Sequence, residues 1–246
     1  MKAAPAAQLR LLDLQTVDTA LAQLAHRRRS LPEIAELDAL ARELSKLEDE
    51  RVRAQVAVDD LDRDIARLES DTDQVRARKR KDEDRLVGGG LPARELTALQ
   101  HEVESLTRRQ GELEDAELAL MEQREQAQAN LDGVTERLSA TRANRDEAQR
   151  RHDETLAGIS RDEEFHRTAR QAVVADLPGD LVSLYLKVQD SAGVMAAALV
   201  QGGRCGGCRI EFSGSERARL KAAAADEITR CEDCRRIMVR TSESGL

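Results

Sequence analysis

Apolar residues recur through much of the chain at alternating intervals of three and four positions, and Asp, Glu, Arg and Gln fill most positions between them. The longest regular run extends from Leu37 to Val75, where ten of twelve seam positions are apolar. This strict spacing predicts a left-handed coiled coil, because it places one apolar seam along one side of a helix. Arg51 and Thr72 are the two exceptions, and we interpret them as positions that help to set the register.

A break in the pattern lies at residues 87–92, where three consecutive glycines precede Pro92. Glycine ends a helix readily, and proline fits the first turn of the next one. The apolar pattern then resumes at Leu96 and continues to Leu138 and, more weakly, beyond it. The sequence therefore predicts an antiparallel hairpin that folds back near Gly89, with residue i opposite roughly residue 178 − i.

The outgoing arm of this hairpin contains a second predicted break. A seam that starts at Leu14 loses its phase around Leu31 and Pro32. Because an interior proline removes a helical hydrogen bond and clashes with the preceding turn, we expect a kink near residue 32. Ser30 is then placed to cap the helix that restarts.

Four cysteines, all that the chain contains, form the pattern C-x2-C-x22-C-x2-C near the C-terminus. Two such turns bring four thiolates into a tetrahedron, which is the geometry of a structural zinc site. We therefore expect one structural zinc ion, with a rubredoxin-like iron site or a redox pair as the alternatives. The predicted ligands are Cys205, Cys208, Cys231 and Cys234.

The residues around the cysteines predict a zinc ribbon with a helical insertion. Short strand patterns occur at residues 195–201, 209–213, 227–231 and 235–240. Between the two cysteine pairs the composition is helical, and Ser213 or Ser215 is placed to cap that helix. Phe212 suits either a strand that faces the small core or stacking on a base, and we favour the core.

Taken together, the patterns predict a mainly α fold. A long antiparallel coiled-coil hairpin occupies residues 1–177, and a small C-terminal α+β zinc ribbon occupies residues 178–246. Composition agrees with this fold, because charged residues make up 35% of the 246 residues, and Tyr185, Phe165 and Phe212 are the only aromatic ones. A compact catalytic domain normally buries more aromatic area.

Several observations argue against an enzyme. Four thiolates leave no open position on the metal. The chain has no nucleophile motif, no phosphate loop and no carboxylate pair with a pocket around it. We therefore expect a protein that is not an enzyme.

Charge and hydropathy limit the kinds of partner. The formal net charge is −8, so bulk charge gives the chain no affinity for nucleic acid. No apolar run reaches the length of a membrane span, and the N-terminus lacks a signal-peptide core. These features predict a cytoplasmic protein with no membrane partner. In that reducing compartment, paired cysteines are metal ligands more often than disulfides.

Two basic clusters are candidate contacts for a partner, because arginine forks suit phosphate and carboxylate. The first precedes the hairpin turn and consists of Arg76, Arg78, Lys79, Arg80 and Lys81. The second flanks the cysteines and includes Arg204, Arg209, Arg235 and Arg236. Three acids follow the first cluster, Asp82, Glu83 and Asp84. Local ion pairing is therefore the alternative interpretation of the first cluster.

The stretch ELTALQHEVESLTRRQGELEDAELALME, at residues 95–122, resembles the start of the return helix in a bacterial family of coiled-coil hairpin proteins with a C-terminal four-cysteine zinc ribbon. The CGGC pair and the later CEDCRRIMV resemble the ending of that family. Arg235 departs from the family pattern, which usually has glycine after the last cysteine. We expect this departure to alter the turn without abolishing metal binding.

The resemblance covers the whole length of the chain and the order of its parts. It implies a zinc-ribbon protein of a family described as nucleic-acid-binding. Some flagellated relatives in that family act as adaptors or chaperones for an alternative sigma factor, an mRNA or secretion components.

These features favour a zinc-binding adaptor or scaffold that engages a protein partner through its coiled coil and its zinc ribbon. RNA is a further candidate partner. One alternative is a transcription modulator that binds RNA polymerase through the acids at the hairpin tip. Another is direct nucleic-acid binding by the ribbon, which predicts strong salt dependence. The seams fit a monomer and a homodimer equally, because long seams also pair between chains.

Overall fold

The computed structural model describes residues 1–246, which form five helices and four strands. The helices are α1 (Pro5–Arg29), α2 (Pro32–Val87), α3 (Ala93–Ala175), α4 (Gly179–Ala192) and α5 (Gly214–Ala222). The strands are β1 (Ala197–Gln201), β2 (Arg204–Cys205), β3 (Thr229–Arg230) and β4 (Ile237–Val239). The fold is mainly α with a small strand-containing part near the C-terminus, as the sequence predicts. None of the helices is both long enough and apolar enough to span a bilayer.

The chain forms two compact units. One consists of Ala35–Gln149, and the other combines Met1–Ile34 with Arg150–Leu246. The boundary expected at residue 178 lies inside the second unit. That residues 1–177 and 178–246 are separate domains therefore stays a prediction.

In the unit Ala35–Gln149, α2 and α3 form an antiparallel hairpin. α2 ends at Val87 and α3 begins at Ala93. Between them, Gly89 and Gly90 have φ angles of 68° and 85°, which glycine adopts without steric cost. The predicted seam positions of α2 up to Val75 are all buried or half-buried. The heptad pattern therefore gives the packed face of α2 correctly.

The register of the hairpin differs from the predicted pairing. Ala54 packs with Leu131 in a small apolar cluster, whereas folding the chain back at Gly89 predicts roughly residue 124 opposite it. Arg124 instead forms an ion pair with Asp62 at 3.0 Å. The difference is about one heptad, and a slip of one heptad leaves apolar seam against apolar seam. The spacing pattern alone therefore does not determine the register.

The helix that begins at Pro5 is interrupted where the sequence pattern loses its phase. α1 ends at Arg29, and α2 begins at Pro32. Ser30 does not cap α2, because its hydroxyl donates to the carbonyl oxygen of His26 at 3.0 Å and the residue ends α1. The prediction for Ser30 is wrong because the hydroxyl turns back to the helix that precedes it.

The four strands form one sheet in the order β2-β1-β4-β3. β1 pairs antiparallel with β2 and parallel with β4, and β3 pairs antiparallel with β4. A parallel pair needs a long connection, and the segment containing β2, α5 and β3 supplies it. The strand expected at residues 209–213 is reduced to an isolated bridge between Glu211 and Arg204.

The N-terminal residues extend the ribbon. An isolated antiparallel bridge joins Lys2 to Glu227, and the amide of Ala3 donates to the carbonyl of Asp226 at 2.7 Å. The side chain of Gln8 is buried and donates to the carbonyl of Ala3 at 2.9 Å. The first residues of the chain are therefore fixed to its zinc-ribbon part.

α4 contributes three fully buried side chains to the apolar cluster where the helices of this unit meet the sheet. The spacing patterns did not predict α4, although its buried residues recur at the helical interval of four and three positions, namely Leu181, Tyr185 and Val188. The other buried residues of this cluster are Ala3, Leu11, Leu14, Val173, Leu177, Ala196, Ala197 and Ile237. The ribbon is therefore packed directly on α1, α3 and α4.

Candidate metal centre

The sulfur atoms of the four cysteines lie within 4.8 Å of one another. Cys205 Sγ is 3.7 Å from Cys234 Sγ, and Cys208 Sγ is 3.9 Å from Cys231 Sγ. A tetrahedral zinc ion with Zn–S bonds of about 2.3 Å places its sulfurs roughly 3.8 Å apart. None of the four thiols is in a disulfide. The arrangement therefore fits one structural zinc ion.

Each cysteine pair lies in a turn with the same backbone hydrogen bonds. In the first turn, the amide of Arg209 donates to the carbonyl of Cys205 at 2.7 Å, and the amide of Cys205 donates to the carbonyl of Ile210 at 3.1 Å. The second turn repeats both bonds at 3.0 Å: the amide of Arg235 donates to the carbonyl of Cys231, and the amide of Cys231 donates to the carbonyl of Arg236. Two copies of the sequence C-x-x-C-R thus build two equivalent halves of the site.

The residue after the second cysteine of each turn has a left-handed backbone conformation. Arg209 and Arg235 have φ angles of 63° and 61°, and they are the only residues other than glycine with positive φ. Glycine adopts this conformation without clash, which accounts for its use at this position in the family that the sequence resembles. Both turns carry arginine at this position and share one geometry, so the expectation that arginine in place of glycine alters the turn stays a prediction.

Both glycines of the first turn lie against close neighbours, backbone at Gly206 and a side chain at Gly207. A β-carbon on Gly206 would lie 2.5 Å from the carbonyl oxygen of Leu199, which accepts a hydrogen bond from the Gly206 amide at 2.9 Å. A β-carbon on Gly207 would lie 2.6 Å from Cδ of Arg236. The second turn has exposed acidic residues at the equivalent positions. The asymmetry between CGGC and CEDC therefore reflects what lies against each turn.

Burial and hydrogen bonding act on the thiols in opposite directions. Burial raises the pKa of Cys205, although two backbone amides of its own turn act to lower it. Burial also raises the pKa of Cys231. At Cys234 burial again acts to raise the pKa, but the adjacent polar groups of Arg236 and the neighbouring thiols outweigh it and lower the pKa to about 7. This effect favours the thiolate form of Cys234, which is the form that binds metal.

The helix between the two turns supports the second one. Ser213 caps α5, because its hydroxyl accepts from the amide of Glu216 at 3.1 Å. Glu216 is buried, and its carboxylate accepts from the amide of Glu232 in the second turn at 3.3 Å. Phe212 is buried in the apolar cluster that contains Leu220, as the core interpretation expects.

A polar side chain from α1 holds the start of β1. Oε1 of Gln15 accepts from the amides of Ala196 and Ala197 at 2.6 Å and 3.1 Å. The amide group of Gln15 also donates to the carbonyl of Val194 at 2.9 Å. The sequence pattern does not single out Gln15, because a glutamine on a helix normally faces solvent.

The four predicted arginines of the ribbon have different surroundings. Arg209 and Arg235 are exposed. Arg204 is exposed and forms an ion pair with Glu211 at 3.2 Å. Arg236 is half-buried, and its guanidinium donates to two backbone carbonyls. Arg236 therefore serves a contact within the protein, and three arginines remain on the surface.

The cations before the hairpin turn divide in a similar way. Three of them contact α3: Arg76 pairs with Glu114 at 2.7 Å, Arg78 with Glu102 at 2.7 Å, and Lys79 with Gln110 at 3.5 Å. Arg80 and Lys81 are exposed. Of the acids that follow, Asp82 is only 7% exposed. Local ion pairing thus occupies part of the cluster, and one of the three tip acids is withdrawn from solvent.

A coiled-coil hairpin combined with a ribbon that holds four clustered cysteines defines a class of zinc-binding scaffold proteins. The profile of the CT398-like coiled coil hairpin domain matches residues 14–193, and that of the C4-type zinc ribbon domain matches residues 204–238. The chain belongs to the CT398-like coiled-coil hairpin family. Both profiles describe structural domains and not known enzymes.

Individual relatives agree with this assignment. The chain is 40% identical over 240 residues to Uncharacterized protein Rv2229c of Mycobacterium tuberculosis, and the aligned region covers 98% of each chain. A solved structure from Mycobacterium smegmatis matches with a TM-score of 0.86 and 36% identity, over 98% of this chain and all of that one (100%). CT398 from Chlamydia trachomatis matches with a TM-score of 0.66 over 96% of this chain and 98% of its own, and at 17% identity it shows a shared fold alone.

Proposed function

We propose that this chain is a non-enzymatic, zinc-binding adaptor that engages a protein partner through its coiled-coil hairpin, with the zinc ribbon as a second contact surface. The observation that carries the proposal is a set of apolar side chains on outward positions of the hairpin. Their exposed fractions are 51% for Val52, 49% for Val56, 60% for Leu118 and 45% for Met121.

These side chains occur in pairs that share one face of a helix. Val52 and Val56 are four positions apart on α2, and Leu118 and Met121 are three positions apart on α3. Most other outward positions of the hairpin are charged. Paired apolar side chains on a charged helix support contact with a protein, because such surface is costly to leave in water.

The zinc site supports a structural role for the metal. Four thiolates complete a tetrahedral shell and leave no position for water or substrate. Thiols that are free of disulfides suit a reducing compartment, and we take the cytoplasm as the place where the protein acts. The metal then stabilises the ribbon, and binding is the activity of the protein.

Purification of the full chain from its own cells tests this function. One half of the extract is treated with nuclease, and co-eluting proteins are identified by mass spectrometry. The wild type is compared with two double variants, Val52→Ser with Val56→Ser and Leu118→Ser with Met121→Ser. The matched control is Ala57→Ser with Ala119→Ser, since both alanines are exposed on the same helices.

The expected result is a protein that survives nuclease, stays with the control and is lost from at least one double variant. Circular dichroism establishes that the variants remain helical. Absence of any protein that survives nuclease, or retention of every partner by both double variants, overturns the proposal.

Direct binding of RNA by the ribbon is a second candidate, because Arg209 and Arg235 are exposed at equivalent positions of the two turns. It predicts that RNA co-purifies and that Arg209→Met with Arg235→Met removes it. It also predicts a steep fall of affinity with salt. RNA affinity that is unchanged in this double variant would exclude the ribbon arginines as the binding site.

A further inference from the structure

Arg236 joins the zinc ribbon to the end of α4. Its Nε donates to the carbonyl of Met195 at 2.8 Å, and one terminal nitrogen donates to the carbonyl of Ala192 at 3.2 Å. Ala192 is the last residue of α4, and Met195 lies just before β1. The last carbonyls of a helix have no partner within it, and a cation placed there also interacts favourably with the helix dipole.

The same residue contacts both cysteine turns. Arg236 lies two positions after Cys234, at the end of the second turn. Its stem passes so close to Gly207 that a β-carbon on that glycine would lie 2.6 Å from Cδ. The carbonyl of Arg236 accepts from the amide of Cys231 at 3.0 Å. One residue therefore touches both halves of the metal site and the end of a helix.

The position of the Arg236 guanidinium depends on the second cysteine turn. Its polar contacts are the carbonyl oxygens of Met195 and Ala192, and none is a carboxylate. The backbone of Arg236 closes the second turn, because its carbonyl accepts from the amide of Cys231. A bound zinc ion fixes the geometry of such a turn, so it also fixes the residue from which this side chain extends.

We propose that Arg236 couples zinc occupancy to the docking of the α4 end and the start of β1. When zinc is bound, the second cysteine turn is ordered, and Arg236 is placed so that its guanidinium holds the carbonyls of Ala192 and Met195. When zinc is lost, the turn loosens, Arg236 moves with it, and the segment 192–197 is released. This coupling does not depend on which partner the protein binds.

Backbone amides of this segment report on the docking. The amides of Ala196 and Ala197 are held by Gln15, and the carbonyl of Ala196 accepts from the amide of Ile237 at 2.8 Å. These hydrogen bonds slow hydrogen exchange as long as the segment stays in place.

Hydrogen exchange of the full chain, measured by mass spectrometry before and after removal of zinc with a chelator, tests the coupling. We expect exchange in residues 192–197 to become at least about tenfold faster without zinc, while the hairpin peptide 54–70 keeps its rate. Unchanged exchange in residues 192–197 overturns the proposal. Equal loss of protection throughout α1 and α4 also overturns it, because the metal then stabilises the whole unit and not this junction.

Variants separate the role of the side chain from that of the metal. Arg236→Met keeps the stem over Gly207 and removes the guanidinium, and Arg235→Met is the control at the exposed neighbouring position. With one zinc ion bound, we expect Arg236→Met to show the fast exchange of the zinc-free wild type and to transfer zinc to a chromophoric chelator about 10–100-fold faster. The control should match the wild type in both measurements.

Arg236→Lys keeps the charge and loses the fork that reaches two carbonyls. We expect it to retain zinc and to exchange faster than the wild type in residues 192–197, and this variant decides the question if Arg236→Met does not load zinc. A zinc-loaded Arg236 variant with wild-type exchange and wild-type zinc transfer shows that the residue does not couple the two.

Discussion

The hydroxyl of Tyr185 lies 3.0 Å from Oδ2 of Asp18 and 3.2 Å from Oε1 of Gln15, and the tyrosine side chain is fully buried. The carboxylate of Asp18 also accepts from Arg170 at 2.6 Å. The only tyrosine of the chain therefore belongs to a buried polar network that joins α1, α3 and α4. Because Gln15 in turn holds the start of β1, this network also fixes the ribbon to the helices.

Replacement of Tyr185 by Phe removes one donor from this network. We expect the free energy of unfolding of the zinc-loaded chain to fall by about 1–3 kcal/mol at neutral pH, because the buried Asp18 carboxylate loses a hydrogen bond. Denaturant unfolding measures the change. Phe165 is 71% exposed, and Phe165→Leu is the control, with an expected change within about 0.5 kcal/mol.

The stability difference between the wild type and Tyr185→Phe should also depend on pH. Burial, followed by the charge of Asp18, raises the pKa of Tyr185 above its usual value of 10.0. Below that pH the phenol is protonated in both the folded and the unfolded chain. Above it, the unfolded chain loses the proton and the folded chain keeps it, so the wild type loses up to about 1.4 kcal/mol per pH unit that the variant does not lose.

The advantage of the wild type should therefore shrink between pH 10 and pH 12, where 10.0 is the ordinary pKa of the group. Unfolding curves of both proteins at several alkaline pH values measure this trend. A difference that stays constant over the range would show that the phenol titrates normally in the folded chain.

Gly206→Ala tests the packing of the first cysteine turn. The added β-carbon would lie 2.5 Å from the carbonyl oxygen of Leu199, so either the turn or β1 has to move. We expect a loss of about 2–4 kcal/mol in the free energy of unfolding and weaker zinc retention in chelator competition. Gly214→Ala is the matched control, because a β-carbon there meets nothing within 4 Å. Equal stability of the two variants would contradict the close approach.

At Arg235, in contrast, we expect replacement by glycine to be tolerated. Its φ angle of 61° lies in the left-handed region, which costs an L-residue about 1–2 kcal/mol. Glycine avoids that cost but loses about 0.5–1 kcal/mol in chain entropy. We therefore expect Arg235→Gly to be neutral or stabilising by up to about 1 kcal/mol, and Arg235→Val to be destabilising. A ranking of glycine below valine in thermal unfolding would rule out the left-handed turn.

Local sequence patterns predict the parts of this fold that depend on neighbouring residues. The alternating spacing identifies the packed face of α2, and the glycines before Pro92 mark the loop between Val87 and Ala93. The C-x2-C pairs identify the four sulfurs that the structure brings together. Each of these features is encoded within a few residues, because helix periodicity, turn chemistry and knuckle geometry are local.

Contacts between distant parts of the chain are not encoded in that way. A slip of one heptad leaves the seam intact, so spacing does not show that Ala54 packs with Leu131. Asp82 and Arg236 are charged, as surface residues usually are. Asp82 is nevertheless buried, and Arg236 donates to the carbonyl of Ala192 at the end of α4. Only the tertiary fold shows which polar side chains have partners inside the protein.

Thr72 is the second exception in the apolar seam of α2, and its hydroxyl has no partner. The residue is 1% exposed, and its Oγ1 is buried without a hydrogen bond. Thr72→Val keeps the shape and removes the buried hydroxyl, so we expect the free energy of unfolding to rise by about 1 kcal/mol. Thr107→Val is the control, because Thr107 is exposed and its hydroxyl donates to the carbonyl of Val103 at 2.8 Å.

The same variant tests whether Thr72 helps to set the register. A polar residue in a seam specifies pairing at a cost in stability, so its removal should let a stabilised chain form dimers or a shifted hairpin. Light scattering after size-exclusion chromatography detects the dimer. The shifted hairpin is detected by disulfide trapping: Ala54→Cys and Leu131→Cys are introduced together, and the protein is first reduced and then oxidised. A Thr72→Val protein that is more stable, has the molecular mass of the wild type and traps the same pair would assign the register to the turn and the ion pairs instead.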